Sequence, residues 1–117
     1  MRKPISPRLH GTLDYATAAA TATLPRMLGF PPAATRACDS LAAGYTGLSA
    51  ITDYSLGVKR VVPFKGHGAA EVLLGAALPA VPWLLGFARH RPARNFFFAL
   101  TAVTAVVALL TDWDARG

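Results

Sequence analysis

The sequence predicts an all-α protein, a four-helix transmembrane bundle built from two parallel two-helix repeats. Three observations lead to this fold class. Charged residues make up 15% of the 117 residues and hydrophobic residues 53%, whereas a soluble domain carries about 25% charged residues. The second half of the chain contains two long apolar runs, and a segment of the first half recurs in the second. We expect residues 1–117 to form a single membrane domain, because a chain of this length has room for one.

The two apolar runs cover residues 69–87 and 96–110, and the second run contains no charged residue. With its flanks, the second run reaches the ~20 residues that a helix needs to cross ~30 Å of hydrocarbon. The first half of the chain is less apolar. Asp14 interrupts its first candidate helix, and Arg36 and Asp39 lie near the start of its second. Neither of these segments would be assigned to a membrane without further information.

The internal repeat supplies that information. Residues 10–30 match residues 67–87 at a constant offset of 57, and eight of the twenty-one positions are identical. Six of the identical pairs are His10/His67, Gly11/Gly68, Pro25/Pro82, Leu28/Leu85, Gly29/Gly86 and Phe30/Phe87. Asp14 and Glu71, which occupy equivalent positions of the repeat, both carry a carboxylate. A shorter match at an offset of 59 joins Thr52-Asp53-Tyr54 to Thr111-Asp112-Trp113. A repeat of this period indicates one structural unit used twice, so the first copy should adopt the structure of the second.

Four helices follow from the repeat, at residues 7–28, 34–54, 64–85 and 93–113, within repeats that span residues 6–54 and 63–113. Ser6 and Pro7 form a typical helix start, and Gly29 and Gly86 are typical of positions just after a helix end. Pro79 should bend the third helix near its end, together with Pro82. Two helices per repeat return the chain to its starting side, so the repeats are parallel.

Both repeats end in the same pattern of proline, apolar residues, glycine and phenylalanine. The two segments are Leu24-Pro25-Arg26-Met27-Leu28-Gly29-Phe30 and Val81-Pro82-Trp83-Leu84-Leu85-Gly86-Phe87. They resemble the SPW-repeat family of small bacterial membrane proteins, whose unit carries Ser-Pro-Trp followed by an apolar Gly-Phe ending. In that family the motif lies in the first of two membrane helices per repeat. The resemblance implies an integral protein of the bacterial plasma membrane, and it implies no particular activity.

The formal charge of +6 favours lipid head groups over nucleic acid as the partner. Lys and Arg lie in connecting segments, which is typical of residues that flank membrane helices, and no aromatic-basic stacking platform occurs. The side predicted to hold both termini carries seven basic residues, Arg2, Lys3, Arg8, Lys59, Arg60, Lys65 and Arg116. The opposite side carries five, Arg26, Arg36, Arg89, Arg91 and Arg94. This difference favours cytoplasmic termini.

Six ionisable side chains are expected to gather at one end of the bundle. Each histidine of the repeat precedes a carboxylate by four residues, so the two side chains share one helix face. The aspartates that end helices two and four should lie at a similar depth. Ionisable groups at membrane depth are costly unless paired, and they indicate a functional site. The expected group consists of His10, Asp14, Asp53, His67, Glu71 and Asp112.

Several functions fit this group. His10, Asp14, His67 and Glu71 could bind a divalent metal ion, because imidazole and carboxylate are ligands of such ions. The two histidines could instead hold haem, or the group could relay protons or conduct ions. In the plainest interpretation, each histidine bonds to the carboxylate one turn later. The Thr-Asp pairs that end helices two and four would then anchor those helices at the head groups.

The leading hypothesis from the sequence is a small non-catalytic membrane protein. It would be a structural or accessory subunit of a larger membrane complex, or a homo-oligomer, and the metal, haem or ion site is the alternative. No Ser/His/Asp order, phosphate-binding loop, dinucleotide fingerprint or HExxH motif occurs, so no catalytic residue is assigned. Cys38 is the single cysteine, which excludes an intrachain disulfide.

Overall fold

In a computed structural model, which describes residues 3–115, the chain folds into four helical rods and no β-strand. The elements are α1 (Pro7–Met27), α2 (Pro32–Ala50), α3 (Phe64–Ala77), a 3-10 turn (Leu78–Ala80), α4 (Val81–Leu84) and α5 (Arg91–Leu110). The 3-10 turn joins α3 and α4 into one interrupted rod. The prediction of an all-α chain is therefore confirmed over this range. Arg2 and Arg116, which were counted for the membrane orientation, lie outside the described residues.

The start of α1 and the interruption of the third rod follow the sequence signals. Ser6 Oγ accepts a hydrogen bond from the Leu9 amide 3.2 Å away, and Pro7 occupies the first helical turn. In the third rod, α-helical geometry gives way to the 3-10 turn at Pro79. Proline has no amide hydrogen and its ring clashes with the preceding helical turn, which explains the change at this position.

The repeated Gly-Phe ending stops α1 and α4. Gly29 and Gly86 have φ angles of 65° and 79°, in the left-handed region that glycine adopts without a steric penalty. This conformation turns the next amide back onto the helix end, as in other glycine-terminated helices. The amide of Phe30 donates to the Pro25 carbonyl at 2.9 Å, and the amide of Phe87 donates to the Pro82 carbonyl at 2.8 Å.

The helices α2 and α5 finish three to four residues earlier than expected. The residues that follow them bond to the chain segment that enters α3 or α1. The Asp53 amide donates to the Val62 carbonyl at 2.7 Å, and the Asp112 amide donates to the Ile5 carbonyl at 2.8 Å. These bonds replace helical ones, so the helices end there. They also place the starts of α1 and α3 at the bundle end where α2 and α5 finish.

The bundle consists of two helix pairs. Helix α1 packs against α2, and α3 packs against α5. An apolar core joins the pairs at the end where α1 finishes and α2 begins. Its buried members are Phe30, Ala34, Cys38, Leu78, Phe87, Ala93, Phe97 and Leu100.

Helix α5 differs from the others in its apolar character. Among the helices of residues 3–115, it alone is long and apolar enough to cross a membrane by length and composition. Only 17% of its most apolar window is buried against the rest of the chain. Val106 is 53% exposed and Leu109 is 71% exposed. Most of the apolar surface of α5 therefore faces the surroundings of the protein.

We predict that Gly86→Ala destabilises the fold by about 1–2 kcal/mol, because a Cβ is disfavoured at the left-handed φ of Gly86. No atom lies within 4 Å of that Cβ position, so the cost arises in the backbone alone. The matched control is Gly47→Ala, which has the same open space inside α2. It should be neutral or stabilise by up to about 1 kcal/mol. Thermal unfolding of the purified protein followed by circular dichroism measures both variants, and equal stabilities would contradict the prediction.

Candidate metal centre

Four ionisable side chains meet at the bundle end where α1 and α3 begin. They are His10 and Asp14 from α1, and His67 and Glu71 from α3, and we call them the quartet. Both histidines are 0% exposed, Asp14 is 7% exposed and Glu71 is 5% exposed. One nitrogen or oxygen atom from each lies within 4.8 Å of those of the other three. The four-residue spacing within each helix and the contact between the two helix pairs together produce this group.

The shortest contacts of the quartet cross between the helix pairs. His10 Nε2 lies 2.8 Å from Glu71 Oε2, and His67 Nε2 lies 2.7 Å from Asp14 Oδ2. The contacts within each helix are longer, at 3.3 Å for His10 with Asp14 and 3.1 Å for His67 with Glu71. The plainest interpretation of the sequence, in which each histidine bonds one turn along its own helix, therefore describes only the longer contacts.

A threonine hydroxyl holds the second nitrogen of each histidine ring. Thr52 Oγ1 lies 2.7 Å from His67 Nδ1, and Thr111 Oγ1 lies 2.9 Å from His10 Nδ1. Each hydroxyl also donates its hydrogen to the carbonyl four residues earlier, at 2.6 Å and 2.5 Å. A hydroxyl has one hydrogen to give, so it must accept from the ring. Both Nδ1 atoms therefore carry hydrogen, and both Nε2 atoms face the carboxylates.

The aspartates next to these threonines lie outside the quartet. Asp53 is exposed, and Asp112 is half-buried with Oδ1 accepting the Asp114 amide at 3.2 Å. Of the six ionisable residues expected together, the structure thus brings four into contact. Thr52 and Thr111, each 0% exposed, point inward instead. In the sequence, the two threonines belong to the repeated motif Thr52-Asp53-Tyr54 and Thr111-Asp112-Trp113. That repeat was the signal that could have placed both threonines at the site.

Three aromatic rings cover the quartet at the end of the bundle, and we call Tyr54, Phe64 and Trp113 the aromatic cover. The ring centroids of Phe64 and Trp113 are 4.8 Å apart, and those of Tyr54 and Phe64 are 5.8 Å apart. The His10 ring lies 5.0 Å from Trp113. The cover separates the quartet from the surroundings at this end, which accounts for the complete burial of both histidine rings.

A glycine beside each histidine makes room for the cover. A Cβ on Gly68 would lie 2.6 Å from the Trp113 ring, and a Cβ on Gly11 would overlap the Tyr54 ring. Real Cβ atoms do not approach other atoms so closely, because van der Waals repulsion prevents it. The interior is close-packed, so the rings have little room to move away. In each repeat, the histidine therefore supplies a ring to the quartet, and the glycine after it leaves room for a ring of the aromatic cover.

An exposed ion pair lies outside the aromatic cover. Lys65 Nζ is 2.9 Å from Asp114 Oδ1, and the ammonium lowers the pKa of the Asp114 carboxyl. Both side chains are largely exposed, and such surface pairs contribute little to stability. This pair therefore adds little to the stability of the site.

No protein-family model matches the chain, and no curated protein or solved structure matches it. The resemblance to the SPW-repeat family stays a prediction. A helical bundle by itself supports many functions, so the quartet is the feature of this chain that points to one.

We predict that Thr52→Val destabilises the protein by about 1–3 kcal/mol, because the buried Nδ1 hydrogen of His67 loses its acceptor. Valine keeps the shape of threonine, so packing should change little. The matched control is Thr12→Val, whose exposed hydroxyl donates only to the Arg8 carbonyl, and it should stay within about 0.5 kcal/mol of wild type. Chemical denaturation in detergent compares the variants. A Thr52→Val protein as stable as the control would show that this hydrogen bond does not support the fold.

Proposed function

We propose that this chain is a small integral membrane protein that binds one divalent transition-metal ion, such as Zn²⁺, Mn²⁺ or Fe²⁺, in the quartet. One observation carries the proposal: two imidazole Nε2 atoms and two carboxylates converge while both Nδ1 atoms are held by buried hydroxyls. Imidazole and carboxylate are the usual ligands of these ions. Metal-binding histidines commonly have their second nitrogen fixed by a hydrogen bond, which orients the ring.

The distances within the quartet suit an ion of this size. Zinc binds nitrogen and oxygen ligands at about 2.0–2.2 Å, so ligand atoms at angles of about 90–110° around the ion lie about 2.8–3.6 Å apart. The Nε2 to carboxylate distances run from 2.7 Å to 3.3 Å. An ion that replaces the hydrogen bonds would therefore shift these nitrogen and oxygen atoms by only a few tenths of an ångström. The wider separations in the quartet, up to 4.8 Å, would belong to ligands on opposite sides of the ion.

The charge of the quartet also favours a divalent cation. With hydrogen on Nδ1 alone, as a metal ligand requires, each imidazole is neutral, and the two carboxylates contribute two negative charges. A buried net charge is expensive in a protein and more so in a membrane. Either two protons or one divalent cation neutralises the quartet. A monovalent ion would leave one charge without compensation.

The geometry favours a bare ion over haem. The two histidine ring centroids are 5.2 Å apart, and both Nε2 atoms contact carboxylates. A flat macrocycle would have to separate these rings and displace both carboxylates. The cavity beside the quartet holds about 20 Å³, which is far too small for a porphyrin.

Two features support the membrane location. The first is the exposed apolar surface of α5, which would be covered by lipid. The second is the pairing of charges in the less apolar half of the chain. Arg26 donates from both terminal guanidinium nitrogens to Asp39, at 2.7 Å and 2.8 Å, and Asp14 belongs to the quartet, whose charge two protons or one divalent cation would balance. Because these charges are compensated, α1 and α2 are less costly to place in lipid than their sequence suggests.

The membrane location predicts that the full chain, produced in a bacterial host, stays in the membrane pellet after extraction with alkaline carbonate. Val106→Arg, on the exposed face of α5, should lower the inserted fraction, because an arginine in the apolar run is costly to insert, by up to about 2.5–3.5 kcal/mol at the helix centre. The matched control, Val106→Leu, should insert like wild type. Release of the wild-type protein by carbonate would contradict a membrane-spanning chain.

The metal site predicts one equivalent of bound divalent metal per chain, measured by mass spectrometry of the protein purified in detergent and dialysed against Zn²⁺ or Mn²⁺. His10→Ala/His67→Ala should reduce the bound metal to background, since half of the ligands are lost. His90→Ala is the matched control. His90 lies outside the quartet, where its Nδ1 accepts the Ala93 amide at the start of α5, and its loss should leave the metal content unchanged.

A second candidate function rests on the same side chains. The ring nitrogens of the quartet all have hydrogen-bond partners, so the quartet could serve to hold together the helix pairs of a non-catalytic accessory subunit. A wild-type protein without bound metal, whose double histidine variant unfolds at a lower temperature, would favour this structural role. Equal metal content in the wild type and the double variant would place any bound metal elsewhere.

A further inference from the structure

A small cavity adjoins the carboxylates of the quartet on the side that faces the middle of the bundle. It offers about 20 Å³ to the centre of a water molecule. A buried water needs about 10–15 Å³ of such space and two to four polar partners. The cavity therefore has room for one water molecule. Its polar lining residues are Asp14, Thr17, Tyr45, Glu71 and Thr104.

The hydroxyl of Tyr45 provides an independent sign that the cavity takes a polar ligand. The residue is 5% exposed, and its Oη forms no hydrogen bond of full geometry among residues 3–115, although the Thr104 side chain lies near it. A buried hydroxyl without a partner costs about 1–3 kcal/mol, and native proteins rarely contain one. A water in the cavity would supply the missing partner of Tyr45 and would also reach Thr104 and the carboxylates.

We propose that this water is an additional ligand of the metal ion in the quartet, so that the ion keeps one exchangeable coordination position. The inference rests on the proposed metal function. Asp14 and Glu71 belong to the quartet and also line the cavity, so an ion among their oxygens would adjoin the water directly. Metal sites with a water ligand can exchange it for another small oxygen donor, whereas purely structural sites are closed by protein ligands.

The sequence repeat suggests a substitution that fills the cavity. Thr17 lines it, and the predicted repeat equates Thr17 with Leu74. Thr17→Leu thus gives α1 a side chain that the equivalent position of α3 already carries. It adds volume at the water position and changes no residue of the quartet. Thr23→Leu is the matched control, because Thr23 is exposed on the same helix.

The experiment uses Mn²⁺ as the probe and the full chain in detergent. In water enriched in ¹⁷O, a water ligand broadens the electron paramagnetic resonance lines of Mn²⁺. We expect broadening for wild type and Thr23→Leu, and none for Thr17→Leu with Mn²⁺ still bound.

Tyr45→Phe, which keeps the ring and removes the hydroxyl, should weaken Mn²⁺ binding about fivefold, the equivalent of one hydrogen bond of about 1 kcal/mol. Tyr15→Phe is its control, since the Tyr15 hydroxyl donates to the Leu56 carbonyl and does not line the cavity.

The possible outcomes separate this inference from the metal function itself. A wild-type protein that binds no Mn²⁺ overturns both. Bound Mn²⁺ without ¹⁷O broadening overturns the water ligand alone and leaves the metal site standing. Broadening that survives in Thr17→Leu places the water elsewhere and also overturns the inference. If Thr17→Leu does not fold, equal Mn²⁺ affinities for Tyr45→Phe and Tyr15→Phe overturn it.

Discussion

The two histidine rings connect the helix pairs, and the arrangement of the bundle depends on that connection. The shortest bonds of His10 reach the second pair through both ring nitrogens, and those of His67 reach the first pair in the same way. Helix backbones approach closely within each pair rather than between the pairs, so side chains carry the contact. Buried ionisable groups are costly without partners. The starts of α1 and α3 must therefore lie together, beside the ends of α2 and α5 that supply the threonines.

At the opposite end of the bundle, apolar contacts connect the two helix pairs. There the repeated Gly-Phe ending turns the chain out of α1 and α4 and inserts Phe30 and Phe87 into the core, where they are 7% and 4% exposed. The proline of the motif accepts the backbone bond that closes each turn. The repeated motif therefore has a structural explanation that needs no ligand. The buried ionisable side chains lie at the other end, where the repeated His-Gly pair is found.

Local periodicity predicted part of this site, and tertiary contacts decided the rest. The spacing of His10 and Asp14 places both on one helix face, and the repeat carries this over to His67 and Glu71. The crossed pairing between helices could not be read from the spacing, because it depends on how two helices approach. The early ends of α2 and α5 have the same origin, since bonds to the incoming chain segments end these helices. That shift turns the threonines inward and leaves Asp53 exposed. Composition and the apolar run predicted α5, whereas the membrane assignment of the other helices came from the repeat.

The aromatic cover and the cavity give the quartet two unlike sides. At the end of the bundle, Gly11 and Gly68 let Tyr54 and Trp113 lie directly against the helices that carry the histidines. Toward the middle of the bundle, the carboxylates border a water-sized space with a tyrosine hydroxyl. An ion or a water ligand would reach the quartet more easily from the cavity side, because opening the cover would require packed aromatic rings to separate. The position of one glycine beside each histidine thus determines which side of the quartet is closed.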